Sequence, residues 1–317
     1  MHDADLEALH AAAYEAFERP DLAAAVERFE DLLARVDDDD ADRPAYHYMA
    51  GLACKYLGRW KESLAHNLAS LAHRDEVDEA SAWNAGIAAT ALGDWGAARR
   101  AWATAGLQLP GGEGPIDGDF GVCSVRLNPS GNGETVFADR IDVVRARIAN
   151  IPLPVSGFAF GDIVLHDGAA TGRRSHRGQQ VAVFNGLQRL QRSAFHTFTA
   201  FVIAPTPADA EALEARQDTG LGAVEDWTRS VATLCLRCSY GLPHQHESNA
   251  PTRDAPAWKP MRNVGIAAVD VGAARAALDL WRASGPGRVV EHIEAAVLEV
   301  AAHRYDHCWW EAPDPAE

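Results

Sequence analysis

Two cysteines and two histidines form the pattern most readily read as chemistry. Cys235-Leu236-Arg237-Cys238 is followed by His244-Gln245-His246-Glu247. Thiolate and imidazole are donors that tetrahedral Zn²⁺ accepts, and the spacing is compact enough to close a loop around one ion. Against this, a strand over residues 231–238 would send Cys235 and Cys238 to opposite faces. No second C-x-x-C completes a zinc ribbon either, and the alternative is a core cysteine, an edge cysteine and a polar loop. A second pair, His303 and His307, shares one face if helical but lacks the glutamate of H-E-x-x-H, so it reads as a solvated turn. Cys123 has no evident base and is expected to be buried. Leu165-His166-Asp167-Gly168 offers an acid and a base, although a turn aspartate explains it sufficiently. The basic stretch Arg173-Arg174-Ser175-His176-Arg177 would hold an anion, dock an acidic surface or simply be solvated. Neither a G-x-S-x-G elbow nor a phosphate-binding glycine loop occurs. No cofactor is expected apart from zinc at the Cys235/Cys238/His244/His246 set.

These residues must be positioned by a chain of 317 residues, enough for about two domains. Apolar residues make up 47% and charged residues 23%, which argues against wholesale disorder. No apolar run approaches the roughly 20 residues needed to span a bilayer, and the start carries Asp3, Asp5 and Glu7 in place of a basic leader. Five cysteines do not make a disulfide framework in a chain of this size. The expected location is cytoplasmic. The net charge is −16, and residues 1–44 contribute 14 acidic side chains against four arginines, 4 − 14 = −10. Such a field disfavours nucleic acid and anionic membrane and favours a basic partner, or serves solubility alone.

The first third is internally repetitive. Ala50-Gly51, Gly58-Arg59-Trp60 and Leu64 align with Ala85-Gly86, Gly93-Asp94-Trp95 and Ala98, and Gly58 and Gly93 stand 35 residues apart. A weaker copy runs through Ala13, Ala16, Pro20-Asp21-Leu22, Ala25, Phe29 and Leu32. Small residues permit close approach of antiparallel helices, glycines suit the turns between them, and Trp60, Trp95, Trp102 and Phe29 fill the spaces between neighbours. Pro110 is read as ending the third unit. Over about residues 4–112 the chain resembles the tetratricopeptide repeat (TPR) family, whose units have about 34 residues. The resemblance implies a groove lined by the first helix of each repeat and used to bind peptide segments. Carried over by position, its lining is His10, Tyr14, Phe17, Tyr48, Leu52, Lys55, Tyr56, Trp83 and Ile87. Packing of several of these against the following domain is the competing expectation.

Residues 109–115 read as a linker between a helical module over residues 1–112 and an α+β domain over residues 118–317. Strands are expected at Glu134–Ile141 and Phe160–His166, with turn clusters at Asn128–Gly133 and Asp167–Gly172, as in a small, strongly bent sheet. Further strands are expected at Phe195–Ala204, Val231–Arg237 and Val264–Val269, and helices at Ala208–Gln217, around Gly222–Arg229, and at Ala273–Ser284. Residues 288–300 suit either state. Two strand–helix–strand units suggest a ferredoxin-like order. Residues 133–168 also resemble, through Glu134-Thr-Val-Phe-Ala, Asn150-Ile-Pro-Leu and Gly161-Asp-Ile-Val, a small uncharacterised bacterial α+β family. Trp309-Trp310 is expected to dock within the chain.

The expected function is non-enzymatic: a TPR adaptor that binds a protein or peptide. Its narrower form is an inhibitor or immunity protein for a basic effector. The alternatives are an enzyme or ligand-binding protein with a zinc site, and a regulatory subunit of a larger complex.

Overall fold

The computed structural model describes residues 2–73, 78–131, 133–232 and 258–298. Six helices come first: α1 (His2–Glu18), α2 (Leu22–Arg35), α3 (Arg43–Tyr56), α4 (Trp60–Ala72), α5 (Glu79–Leu92) and α6 (Trp95–Thr104). They pack pairwise as three consecutive hairpins. Close approach depends on the small residues. A Cβ on Gly51 of α3 would lie 2.5 Å from Asn67 Nδ2 of α4, and one on Gly86 of α5 would lie 2.6 Å from the Trp102 ring of α6. Gly93 turns the third hairpin at φ +71°, and the Asp94 carboxylate then caps α6 by accepting from Ala97 N–H at 2.9 Å. Helix α6 stops at Thr104, where Gly106 takes φ +82°. Pro110 therefore lies beyond the stop, which is a left-handed glycine cap.

Five strands follow: β1 (Val122–Leu127), β2 (Glu134–Arg140), β3 (Arg145–Ile148), β4 (Ile163–His176) and β5 (Gln179–Gln191). Each pairs antiparallel with the next, and β5 closes a barrel on β1. A meander with an odd number of strands must close in parallel, and Ser124, Val125 and Arg126 pair in parallel with Val183, Phe184 and Asn185. Alternation sends Cys123, Val125, Leu127, Val136, Ala138, Ile148, Val164 and Phe184 into one buried cluster.

The expected turn at residues 167–172 is instead a set of β-bulges inside β4. Bulge and turn demand the same residues, so composition alone cannot separate them. The reversal comes later, at Arg177 (φ +48°) and Gly178 (φ +80°). Two successive positive φ values make the tight hairpin turn that matches strand twist.

Beyond the barrel lie β6 (His196–Ile203), α7 (Pro207–Glu214), β7 (Leu221–Asp226), α8 (Trp227–Ala232), β8 (Met261–Ala268), α9 (Val271–Ala283) and β9 (Val289–Ala295). The four strands form a second sheet in the order β7-β8-β6-β9, antiparallel throughout. The bent sheet expected around residues 134–166 is thus part of a closed barrel, and the later strand–helix units form a separate sheet. The helix expected around Gly222–Arg229 is corrected to β7 followed by α8, because Val224 to Asp226 pair with β8 residues Ile266 to Val264. The strand expected at residues 231–237 begins inside α8, and its remainder lies outside the described residues. Residues 289–295 take the strand option by pairing with β6. One face of this sheet packs Phe198, Val202, Ile266, Leu278 and Trp281 with α7 and α9. On the other face Trp227, Ala267 and Ile151 meet, joining sheet to barrel. Among the described residues no helix is long and apolar enough to cross a membrane.

Candidate functional site

The helical hairpins meet the barrel through a buried ion pair. Lys55 of α3 and Asp167 of the β4 bulge are 4% and 5% exposed. Lys55 Nζ donates to both carboxylate oxygens, at 3.0 and 3.1 Å. The Tyr56 hydroxyl donates to Oδ2 at 3.1 Å, and Gly168 N–H donates to Oδ1 at 2.7 Å. Burial alone would push Asp167 up, but the Lys55 charge and the bonds from Lys55, Tyr56 and Gly168 outweigh it and hold the carboxyl below its ordinary value.

Around this pair the contact is apolar. Ile87 packs with Val143, Val144, Leu165 and Leu187 of the barrel. Gly168 abuts Trp83, where a Cβ would come within 2.8 Å of the ring. Arg145, paired with Asp142, lies 4.7 Å above the Trp95 ring. Four of the nine residues assigned to a partner groove, Lys55, Tyr56, Trp83 and Ile87, are therefore engaged by this chain's own barrel. The reason is geometric: the bulge projects Asp167 outward at the level of the α3 end.

The other five sit in the N-terminal half. His10 Nδ1 shares a 3.0 Å hydrogen bond with the Tyr46 hydroxyl, and its ring lies 4.8 Å from that of Tyr14. Tyr14 meets Phe29 edge-on at 5.2 Å. Phe17 packs against the cluster of Leu22, Val26, Ala53 and Cys54. Tyr48 and Leu52 are half-buried on α3.

The acid and base of residues 165–168 are separated by the strand. Asp167 faces the helices, whereas His166 points into the barrel, stacked 4.5 Å from Phe184. His166 Nδ1 donates to the Asp167 carbonyl at 2.7 Å, and burial pushes the imidazole down to about 4. Cys54 and Cys123 are buried, each thiol pushed up to about 12 mainly by that burial. Neither is an activated nucleophile.

A carboxylate pair escaped the sequence reading. Residues 151–153 run between barrel and sheet: Glu134 of β2 accepts from Leu153 N–H at 3.0 Å, and Glu225 of β7 accepts from Ile151 N–H at 3.0 Å. N–H groups two residues apart in extended chain are about 7 Å apart. Burial, with the neighbouring Glu225 charge and against the Leu153 bond, pushes Glu134 up to about 7. Burial likewise raises Glu225. Glu134 can thus hold a proton near neutrality, but its oxygens are committed to Leu153 N–H and the Ser156 side chain. Glu225 was hidden by its assignment to a helix.

A cavity of about 170 Å³ opens at the barrel mouth, lined by Leu127, Asn128, Phe158, Val164 and Arg189 among others. Arg189 is already paired there with Asp162 at 3.3 Å. A larger cleft of about 370 Å³ lies between barrel and sheet, near Arg192, Ser193, His196 and Asp270. Among the described residues no three His, Cys, Asp or Glu side chains already stand close enough to share an ion. The expected zinc residues Cys235, Cys238, His244 and His246 lie outside the described residues, as do His303, His307, Trp309 and Trp310. No family model, curated protein or solved structure matches this chain.

Proposed function

We propose that this chain is a non-enzymatic interaction protein. A helical array of the TPR kind, fixed at one end on its own barrel, receives a basic protein segment at the other. The observation that carries this reading is the division of the inner helical face. Lys55, Tyr56, Trp83 and Ile87 are taken up by the barrel, so docking there is already satisfied. The N-terminal half keeps half-buried His10, Tyr14, Tyr48 and Leu52 beside the stretch of net charge −10. Aromatic anchors with an acidic rim suit a basic, partly apolar segment. The β7-β8-β6-β9 order with α7 and α9 on one face supports a ferredoxin-like reading of the second sheet. In this proposal that sheet and the barrel form the support.

The test is fluorescence anisotropy with a panel of lysine- and arginine-rich peptides, each carrying aromatic or aliphatic anchors. Saturable binding that weakens at least tenfold from 50 to 300 mM salt, and again on Tyr48→Ala, is the expected result. Absence of binding across the panel, or binding indifferent to salt, rejects the reading.

A further inference from the structure

Three histidines converge on one side of the second helical hairpin, away from the barrel contact. His47 lies on α3, while His66 lies on α4 and His73 caps its end. His66 and His73 are seven residues apart, two turns along one helix face. The Nδ1 atoms of His47 and His66 are 3.1 Å apart. The His47 ring centre lies 5.4 Å from that of His66 and 5.8 Å from that of His73.

The outer nitrogens are also engaged. His66 Nε2 faces a Glu30 carboxylate oxygen of α2 at 3.6 Å, and His73 Nδ1 donates to the Ala69 carbonyl at 2.9 Å. An acceptor behind an imidazole holds the proton on that nitrogen and leaves the lone pair on the other. His66 then presents its Nδ1 lone pair to the His47 Nδ1–H, and a metal ion takes the place of that proton once His47 holds it on Nε2 instead.

We propose that His47, His66 and His73 form a site for a divalent transition-metal ion, Zn²⁺ being the best match, with Glu30 as its outer shell. Zn–N bonds of 2.0–2.1 Å at tetrahedral angles put two ligand nitrogens about 3.3 Å apart. The His47–His66 pair already stands within a few tenths of an ångström of that spacing. Turning the exposed His73 side chain supplies the third nitrogen, and water fills the fourth position. A carboxylate behind the ligating imidazole, as Glu30 stands behind His66, is a recurrent second shell of such sites. The charges facing the cluster are Arg43 beside His47, and Glu30, Glu62 and Arg59 beside His66. This site is independent of the interaction reading above and of Cys235 and Cys238.

The experiment is metal titration of the full chain, free of tag and of metal, by calorimetry with Zn²⁺ and by visible absorption with Co²⁺. The wild type is expected to bind an equivalent that His47→Gln and His66→Gln both lose. Glu30→Gln should weaken it about 10- to 100-fold, whereas His196→Gln and Cys235→Ser should leave it unchanged. Circular dichroism and metal-free melting of each variant separate a lost site from a lost fold. If His66→Gln does not fold, His73→Gln at an exposed position supplies the same test. No stoichiometric zinc, or zinc binding unaffected by the His47, His66 and His73 substitutions, overturns the proposal.

Discussion

The two halves of the row expected to line a groove carry similar residues and meet different fates. Toward the N-terminus His10, Tyr14 and Phe17 pack among α1, α2 and α3. Toward the C-terminus Lys55, Tyr56, Trp83 and Ile87 meet the barrel. Only the second half holds a fully buried charge, and that charge faces a carboxylate delivered by a strand bulge 112 residues later. An aromatic row at helical spacing therefore does not by itself define an open groove. A charge within the row, with a partner on a distant element, marks where the chain covers the row itself.

The largest effect should come from breaking that charge pair. Asp167→Ala leaves Lys55 buried without its counter-charge and should cost about 3–5 kcal/mol in urea unfolding. A loss below about 1 kcal/mol would mean that the pair is open to water. On the helical side, Gly86→Ala forces a methyl group against the Trp102 ring, 2.6 Å away. Overpacking of this kind costs about 1–3 kcal/mol, readable as a lower melting midpoint; an unchanged midpoint would indicate looser α5–α6 packing.

The joint between barrel and sheet offers a pH test. With Glu134 raised to about 7 from an ordinary 4.5, the native state holds more protons than the unfolded chain between those values. Its contribution to stability is therefore present below 4.5 and lost as pH rises through about 7. His166, lowered to about 4 from 6.5, acts oppositely: its contribution is present above 6.5 and lost as pH falls toward 4. Glu134→Gln should remove only the first effect, so the wild type loses about 1–3 kcal/mol more than the variant between pH 4.5 and 8. Identical pH profiles would show that Glu134 ionises freely. The smallest stability effect is expected at Tyr48→Ala, about 1 kcal/mol or less, alongside at least tenfold weaker binding of basic peptide. A large loss of stability there would make Tyr48 a core residue.

The helical hairpins were legible because their signals are local: Gly51 and Gly86 at helix contacts, Gly93 at a turn, Asp94 at a cap. Strands β2, β6 and β8 were legible through alternation and flanking turn residues. The division into barrel and separate sheet was not, since closure depends on β1 meeting β5, about 60 residues apart, and no local pattern encodes that pairing. Strand β7 was mistaken for helix because six residues are too few to display a period. The bulge at Asp167 passed for a turn, and its partnership with Lys55 left no trace in either local sequence. Both glutamates at the barrel–sheet joint were invisible for the same reason, since they accept from N–H groups of residues 151 and 153 on a distant segment.

The most direct measurement is a double-mutant cycle on Lys55→Ala and Asp167→Ala, read by urea unfolding of the full chain. Docking of the α3 end onto the chain's own barrel through this pair predicts that the two substitutions are strongly non-additive, with a coupling energy of about 1.5–3 kcal/mol. Additivity within about 0.5 kcal/mol would contradict it, because residues that touch in a buried pair cannot act independently.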